Sequence, residues 1–141
     1  MKVINIQQRS ELWYEWRKSL VGASESAAIL GLSKYKSAID IWEEKTDRAF
    51  PTVINEDMQR GIDNEDAALK LFCEEKKSLF MPMCGEHEKY HYIGASFDGV
   101  SLCGTEIVEI KCPRTIKMLN ILHDNDLELL KKEYIQYWVQ V

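Results

Sequence analysis

Apolar positions along the first half of the chain recur at helical spacing, and those of the second half turn towards period two. After Ser10, which can cap a helix, Leu12, Trp13, Trp16 and Leu20 fall on one side. A short helix follows from about Ser24, with small Ala27 and Ala28 on its surface and Gly31 placed to close it. Ser37 with Asp40 three residues later forms a capping box that opens a helix through Trp42. From about Asn55 to Lys77, the positions Met58, Ile62, Glu65, Leu69 and Phe72 make a clear helical stripe. Strands are predicted over Leu79–Cys84, Lys89–Ala95 and Thr105–Cys112, with turns at Gly99 and Gly104 and a stop at Pro113. Beyond it Leu127, Leu130, Tyr134, Tyr137 and Val141 return to helical spacing. The order predicts one layered α/β domain over residues 1–141, a small mixed or antiparallel sheet flanked by helices. The last stripe is still running at Val141, so a C-terminally truncated domain is expected.

Three places break the pattern with charge. Glu65 sits inside its apolar stripe, where a carboxylate must be paired, hydrogen-bonded or metal-bound, or must lie at the rim of a slightly rotated helix. The run TEIVEIKC puts Ile107, Glu109 and Lys111 on one strand face and Val108, Ile110 and Cys112 on the other. Asp98 stands one hairpin earlier, in SFDGV, where it could also be the first residue of a plain Asp-Gly turn. Glu109 and Lys111 could equally be an exposed charge pattern on a half-solvated sheet. Taken together, Asp98, Glu109 and Glu65 supply the oxygen donors that a hard divalent cation takes, Mg²⁺ fitting best. Lys111 projects into the same space, where it can orient a water and offset charge on a phosphoryl group.

Composition narrows the field only a little. The 141 residues are 45% hydrophobic and 29% charged, ordinary for a globular domain. A net charge of -5 argues against broad nucleic-acid binding through a basic surface, yet a carboxylate metal site is itself acidic. No apolar run is long enough to span a membrane, and the N-terminus lacks a signal-peptide core. Cys73, Cys84, Cys103 and Cys112 lack zinc-like spacing and read as reduced, mostly buried thiols.

Asp98 followed by Glu109-Ile110-Lys111 resembles the PD-(D/E)XK nuclease signature, with Phe97 in place of its proline. The blocks Gln8–Gly31, Met58–Phe72, Ser96–Val100, Glu109–Pro113 and Tyr137–Val141 resemble, in order, the lambda-exonuclease-like YqaJ viral recombinase family. That resemblance implies a restriction-endonuclease-like core and a Mg²⁺-dependent 5′→3′ exonuclease acting on linear duplex DNA, with Mn²⁺ as a substitute. It implies Glu65, Asp98 and Glu109 as metal-binding acids, the Ile110 carbonyl as a backbone ligand and Lys111 as the catalytic lysine. It also implies that Arg17, Ser24, Ser96 and Gln140 hold the 5′-phosphate of a DNA end. Double-stranded DNA ends, a single-strand-annealing recombination protein and a ring-shaped homotrimer are the implied partners. The cytoplasm of a bacterial or phage-infected cell, or an intracellular host compartment, is the implied location. Two rivals remain at this point: a truncated nuclease fold that binds DNA with weak or no cutting, and a related nuclease with endonucleolytic or repair duties.

Overall fold

The computed structural model describes residues 1–50 and 53–112; the stop at Pro113, the last helical stripe and Gln140 lie outside them. The described residues form two compact units, one of residues 1–50 with 84–96 and one of residues 53–83 with 97–112.

In the first unit, strand β1 (Lys2–Ile4) leads to helix α1 (Glu11–Lys18). Ser10 caps α1 as expected, its hydroxyl accepting from the Trp13 N–H at 3.2 Å. A two-residue strand β2 (Val21–Gly22) then enters a 3-10 turn (Ala23–Glu25) and helix α2 (Ser26–Ile29). Ser24 is therefore inside a tight turn rather than opening a helix, and α2 is too short to offer a helix-end anion site. Gly31 follows with φ +70°, the left-handed residue that ends the segment. Helix α3 (Ala38–Lys45) opens on the expected capping box, with Ser37 N–H donating to Asp40 at 2.6 Å and Asp40 N–H to the Ser37 hydroxyl at 3.3 Å. Leu20, Ala23, Ala28, Ile41, Cys84 and Ala95 form this unit's core.

In the second unit, helix α4 (Glu56–Lys76) is capped by Asn55 and buries Leu69. Ile62, Glu65 and Phe72 are half-buried, so the predicted stripe does face inward, whereas Met58 is exposed. Leu69, Phe80, Phe97 and Val100 form the core here, with the Phe72 and Phe80 rings packed edge to face, centroids 5.2 Å apart.

The two long strands, β3 (Phe80–Glu86) and β4 (Ile93–Ser101), pass from one unit into the other. With β5 (Ile107–Val108) they complete a five-stranded sheet of order β1-β3-β4-β2, β5 also pairing with β4. The sheet is mixed: β1 runs antiparallel to β3, β2 parallel to β4 at Ile93–Gly94, and β5 antiparallel to β4 at Gly99–Val100.

Two expectations change. The strand predicted to end at Ala95 continues to Ser101, so Asp98 and Gly99 lie within β4 and the turn follows it, with Gly104 at φ +72°. Alternation explains this, because Ala95, Phe97 and Gly99 are all buried. Conversely β5 stops at Val108 rather than Cys112. The Ile110 N–H goes to Asp98 and the Cys112 carbonyl to the Arg60 guanidinium, so these groups leave the ladder for side-chain partners.

Candidate active site and anion group

The charged residues of the second unit gather around Asp98. Its position inside β4 makes it half-buried, and its Oδ2 accepts the Ile110 N–H at 2.7 Å. Burial pushes the Asp98 carboxyl up to about 6; the Ile110 N–H opposes that rise, Glu109 and Glu65 add to it by repulsion, and Lys111 works against it. Asp98 therefore feels the charge of both other predicted acids. Lys111 Nζ donates to the Glu109 carboxylate, and both side chains are largely shielded, 27% and 18% exposed. The i, i+2 relation expected of a strand survives even though residues 109–112 have left it.

A half-buried carboxylate with a raised pKa beside two further carboxylates has the chemistry of a hard-cation site: oxygen donors, excess negative charge and one compensating lysine. Carboxylate oxygens are the donor type that a hard divalent cation takes. Among the described residues, no group of three or more His, Cys, Asp and Glu side chains is gathered closely enough to hold a metal ion as it stands.

The first unit holds the other group. Arg17, on the last turn of α1, lies over the Trp13 ring at 4.7 Å from its centroid and donates from Nη2 to the Ser24 hydroxyl at 3.0 Å. Trp13 in turn donates from Nε1 to the Ser96 hydroxyl at 2.8 Å, and the Cys84 thiol lies 3.7 Å from the same oxygen. Trp13 thus contacts Arg17 and Ser96, and Arg17 reaches Ser24; of the residues expected to hold a terminal phosphate, Gln140 lies outside the described residues.

Two residues that the sequence did not single out complete this group. Glu25, 12% exposed, accepts the Gly22 N–H at 2.8 Å and stands 3.7 Å from Arg17 Nη2. Lys45, from the end of α3, donates to Glu25 Oε1 at 3.0 Å and to the carbonyls of Arg17 and Leu20 at 2.8 and 2.6 Å. A Glu in a tight turn and a Lys in a last helical turn are ordinary in sequence, and only the fold places them together. The four cysteines are unpaired, Cys84 buried, Cys73 and Cys112 half-buried and Cys103 exposed.

A mixed sheet carrying Asp98 on a central strand, with Glu-x-Lys just past the strand beside it, is an α/β fold of the kind found in exonuclease structures. The chain belongs to the YqaJ-like viral recombinase domain family, which it matches over residues 12–141. Among solved structures it is similar to LHK-Exo in complex with dAMP, at 24% identity and TM-score 0.66, covering 88% of this chain and 65% of that one. It is also similar to an alkaline exonuclease (LHK-Exo) from Laribacter hongkongensis, at 25% identity and TM-score 0.64, over 87% of this chain and 64% of that one. The chain thus spans just under two thirds of these structures' chains. A comparison with curated proteins gives no match.

Proposed function

We propose that the chain is a metal-dependent DNA exonuclease of phage-type recombination, one nuclease domain that adds water across phosphodiester bonds from the 5′ ends of linear duplex DNA. The observation that carries the reading is Asp98: half-buried, raised to about 6, and repelled by Glu109 and Glu65. Carboxylates held together at such a cost fit a site that works with a divalent cation. Glu65, Asp98, Glu109 and the Ile110 carbonyl would hold Mg²⁺, with Mn²⁺ as a substitute. When bound, the metal supplies Lewis acidity toward the phosphodiester and makes a bound water more acidic.

The chain's own groups do the rest. Lys111 balances Glu109 in the resting protein and, near a phosphoryl group, offsets the negative charge that grows there while orienting the attacking water. The Ile110 N–H holds Asp98 in one orientation, so the acid does not have to be ordered when DNA arrives. Arg17, stacked on Trp13, presents a planar fork suited to a terminal phosphate, with the Ser24 and Ser96 hydroxyls and Gln140 as further contacts. The resemblance to the viral recombinase family also supports a single-strand-annealing protein as partner and a ring-shaped trimer as the assembly.

The test is end chemistry. Linear duplex bearing 5′-phosphate should be cut about tenfold faster than the 5′-hydroxyl form, the scale of a lost charge-assisted contact. Arg17→Ala should erase most of that preference and leave metal affinity nearly unchanged. Equal cutting of both ends by the wild-type chain would contradict the end-directed reading.

A further inference from the structure

The environment of Arg17 raises a problem for any role in holding an anion. A carboxylate, Glu25, stands 3.7 Å from the same Nη2 that reaches Ser24. A guanidinium and a largely buried carboxylate at that separation would ordinarily close on each other, and the guanidinium would then have little attraction left for a phosphate. Here Glu25 is engaged elsewhere. Its Oε2 accepts the Gly22 N–H, and its two oxygens lie 3.0 and 2.9 Å from Lys45 Nζ. Lys45 has three N–H groups, and Glu25, the Arg17 carbonyl and the Leu20 carbonyl take all three. Its side chain is 20% exposed and has no donor left over for a ligand. The Nε and Nη1 groups of Arg17, by contrast, have no acceptor among the described residues.

We propose that Lys45 is a positioning residue that keeps Glu25 off Arg17 and so keeps the Arg17–Ser24 group open to a terminal phosphate. Glu25 lies nearer to Lys45, at 2.9 and 3.0 Å, than to Arg17, at 3.7 Å, so the group of two cations and one carboxylate keeps one net positive charge. Lys45 also fixes the backbone at both ends of the turn between α1 and β2 through the Arg17 and Leu20 carbonyls. Without Lys45, Glu25 turns to the guanidinium as its counter-ion, and the anion site is filled by the protein's own carboxylate. The inference rests on the reading of Arg17 and Ser24 as the 5′-phosphate group.

The test is equilibrium binding of the full chain to short duplexes with 5′-phosphate or 5′-hydroxyl ends, by fluorescence anisotropy in EDTA so that no cutting occurs. Wild type should favour the phosphorylated end. Lys45→Met should bring the ratio of the two affinities close to one, and the double variant Glu25→Gln, Lys45→Met should restore most of it. Restoration by removing a second charge is something a purely structural role for Lys45 does not give. Glu25→Gln alone keeps the Gly22 contact, and should tighten binding of the phosphorylated end by roughly threefold or more relative to the hydroxyl end, the scale of a partly screened ion pair. If Lys45→Met does not fold, Lys45→Gln, which keeps a donor for the Arg17 and Leu20 carbonyls but not the charge, stands in for it with the same expected ratio. A Lys45→Met protein that folds and keeps the wild-type ratio overturns the inference, as does a double variant that stays at one or a Glu25→Gln ratio that does not rise. A wild-type chain with no preference overturns the phosphate reading itself, and the inference with it.

Discussion

Asp98 carries the clearest consequence at the scale of single residues. Its carboxyl titrates at about 6 in the fold because burial disfavours the charged form and the charges of Glu109 and Glu65 add to that, against an ordinary value near 3.8. The folded protein therefore binds that proton more tightly than the unfolded chain does. The resulting stabilisation is complete below about pH 4 and is lost as pH rises through about 6. Asp98→Asn mimics the protonated form, so in EDTA its melting temperature should rise relative to wild type between pH 4 and 6, with the gain holding above. Melting curves of the two proteins over that range check this, and a difference that does not grow with pH contradicts it. Lys111 makes a separate prediction. Lys111→Ala should lower cleavage by about a hundredfold or more while leaving DNA affinity nearly intact, because its charge matters most where negative charge develops. Single-turnover cleavage beside a binding titration separates the two effects.

At the scale of elements, the sequence made the helices legible because their caps and stripes agree. Ser10 and Ser37 each cap the helix expected of them, Asn55 proves to cap the helix whose stripe was expected to begin there, and Glu65 is half-buried on that stripe. The strands were harder. β1 and β2 are three and two residues long, too short for any period to show. Asp98-Gly99 read as a turn because that pair is the usual turn chemistry, whereas in the fold the strand runs on with Ala95, Phe97 and Gly99 buried. The early end of β5 had no sequence signal, since it depends on Asp98 and Arg60 taking backbone groups from the ladder. Gly99 is in β4 for close approach: a Cβ there would stand 2.9 Å from Leu69 Cδ1 and 3.1 Å from Phe80 Cβ. Gly99→Ala should cost about 1–3 kcal/mol, the usual range for overpacking. It should also disturb the strand that carries Asp98, and chemical denaturation measures the loss. An unchanged midpoint would mean that the two core side chains make room freely.

For the whole molecule, Asp98, Glu109 and Lys111 stood out in the sequence because charge inside an apolar, strand-like run is rare. The resemblance over several blocks pointed to the same family that the match over residues 12–141 establishes. The contacts of Glu25 and Lys45 with the Arg17 segment were not legible, because the two residues are 20 apart and neither breaks a pattern. Net charge of -5 argues against broad nucleic-acid binding through a basic surface. No helix among the described residues is long and apolar enough to cross a membrane. The central claim is that the Asp98 site hydrolyses DNA from its ends with a divalent cation. Incubation of the chain with linear and covalently closed circular duplex of one sequence, in Mg²⁺ or in EDTA, tests it most directly. The account predicts that the linear form is degraded in Mg²⁺ alone and that the circle survives; cutting of the circle, or degradation of the linear form in EDTA, would contradict it.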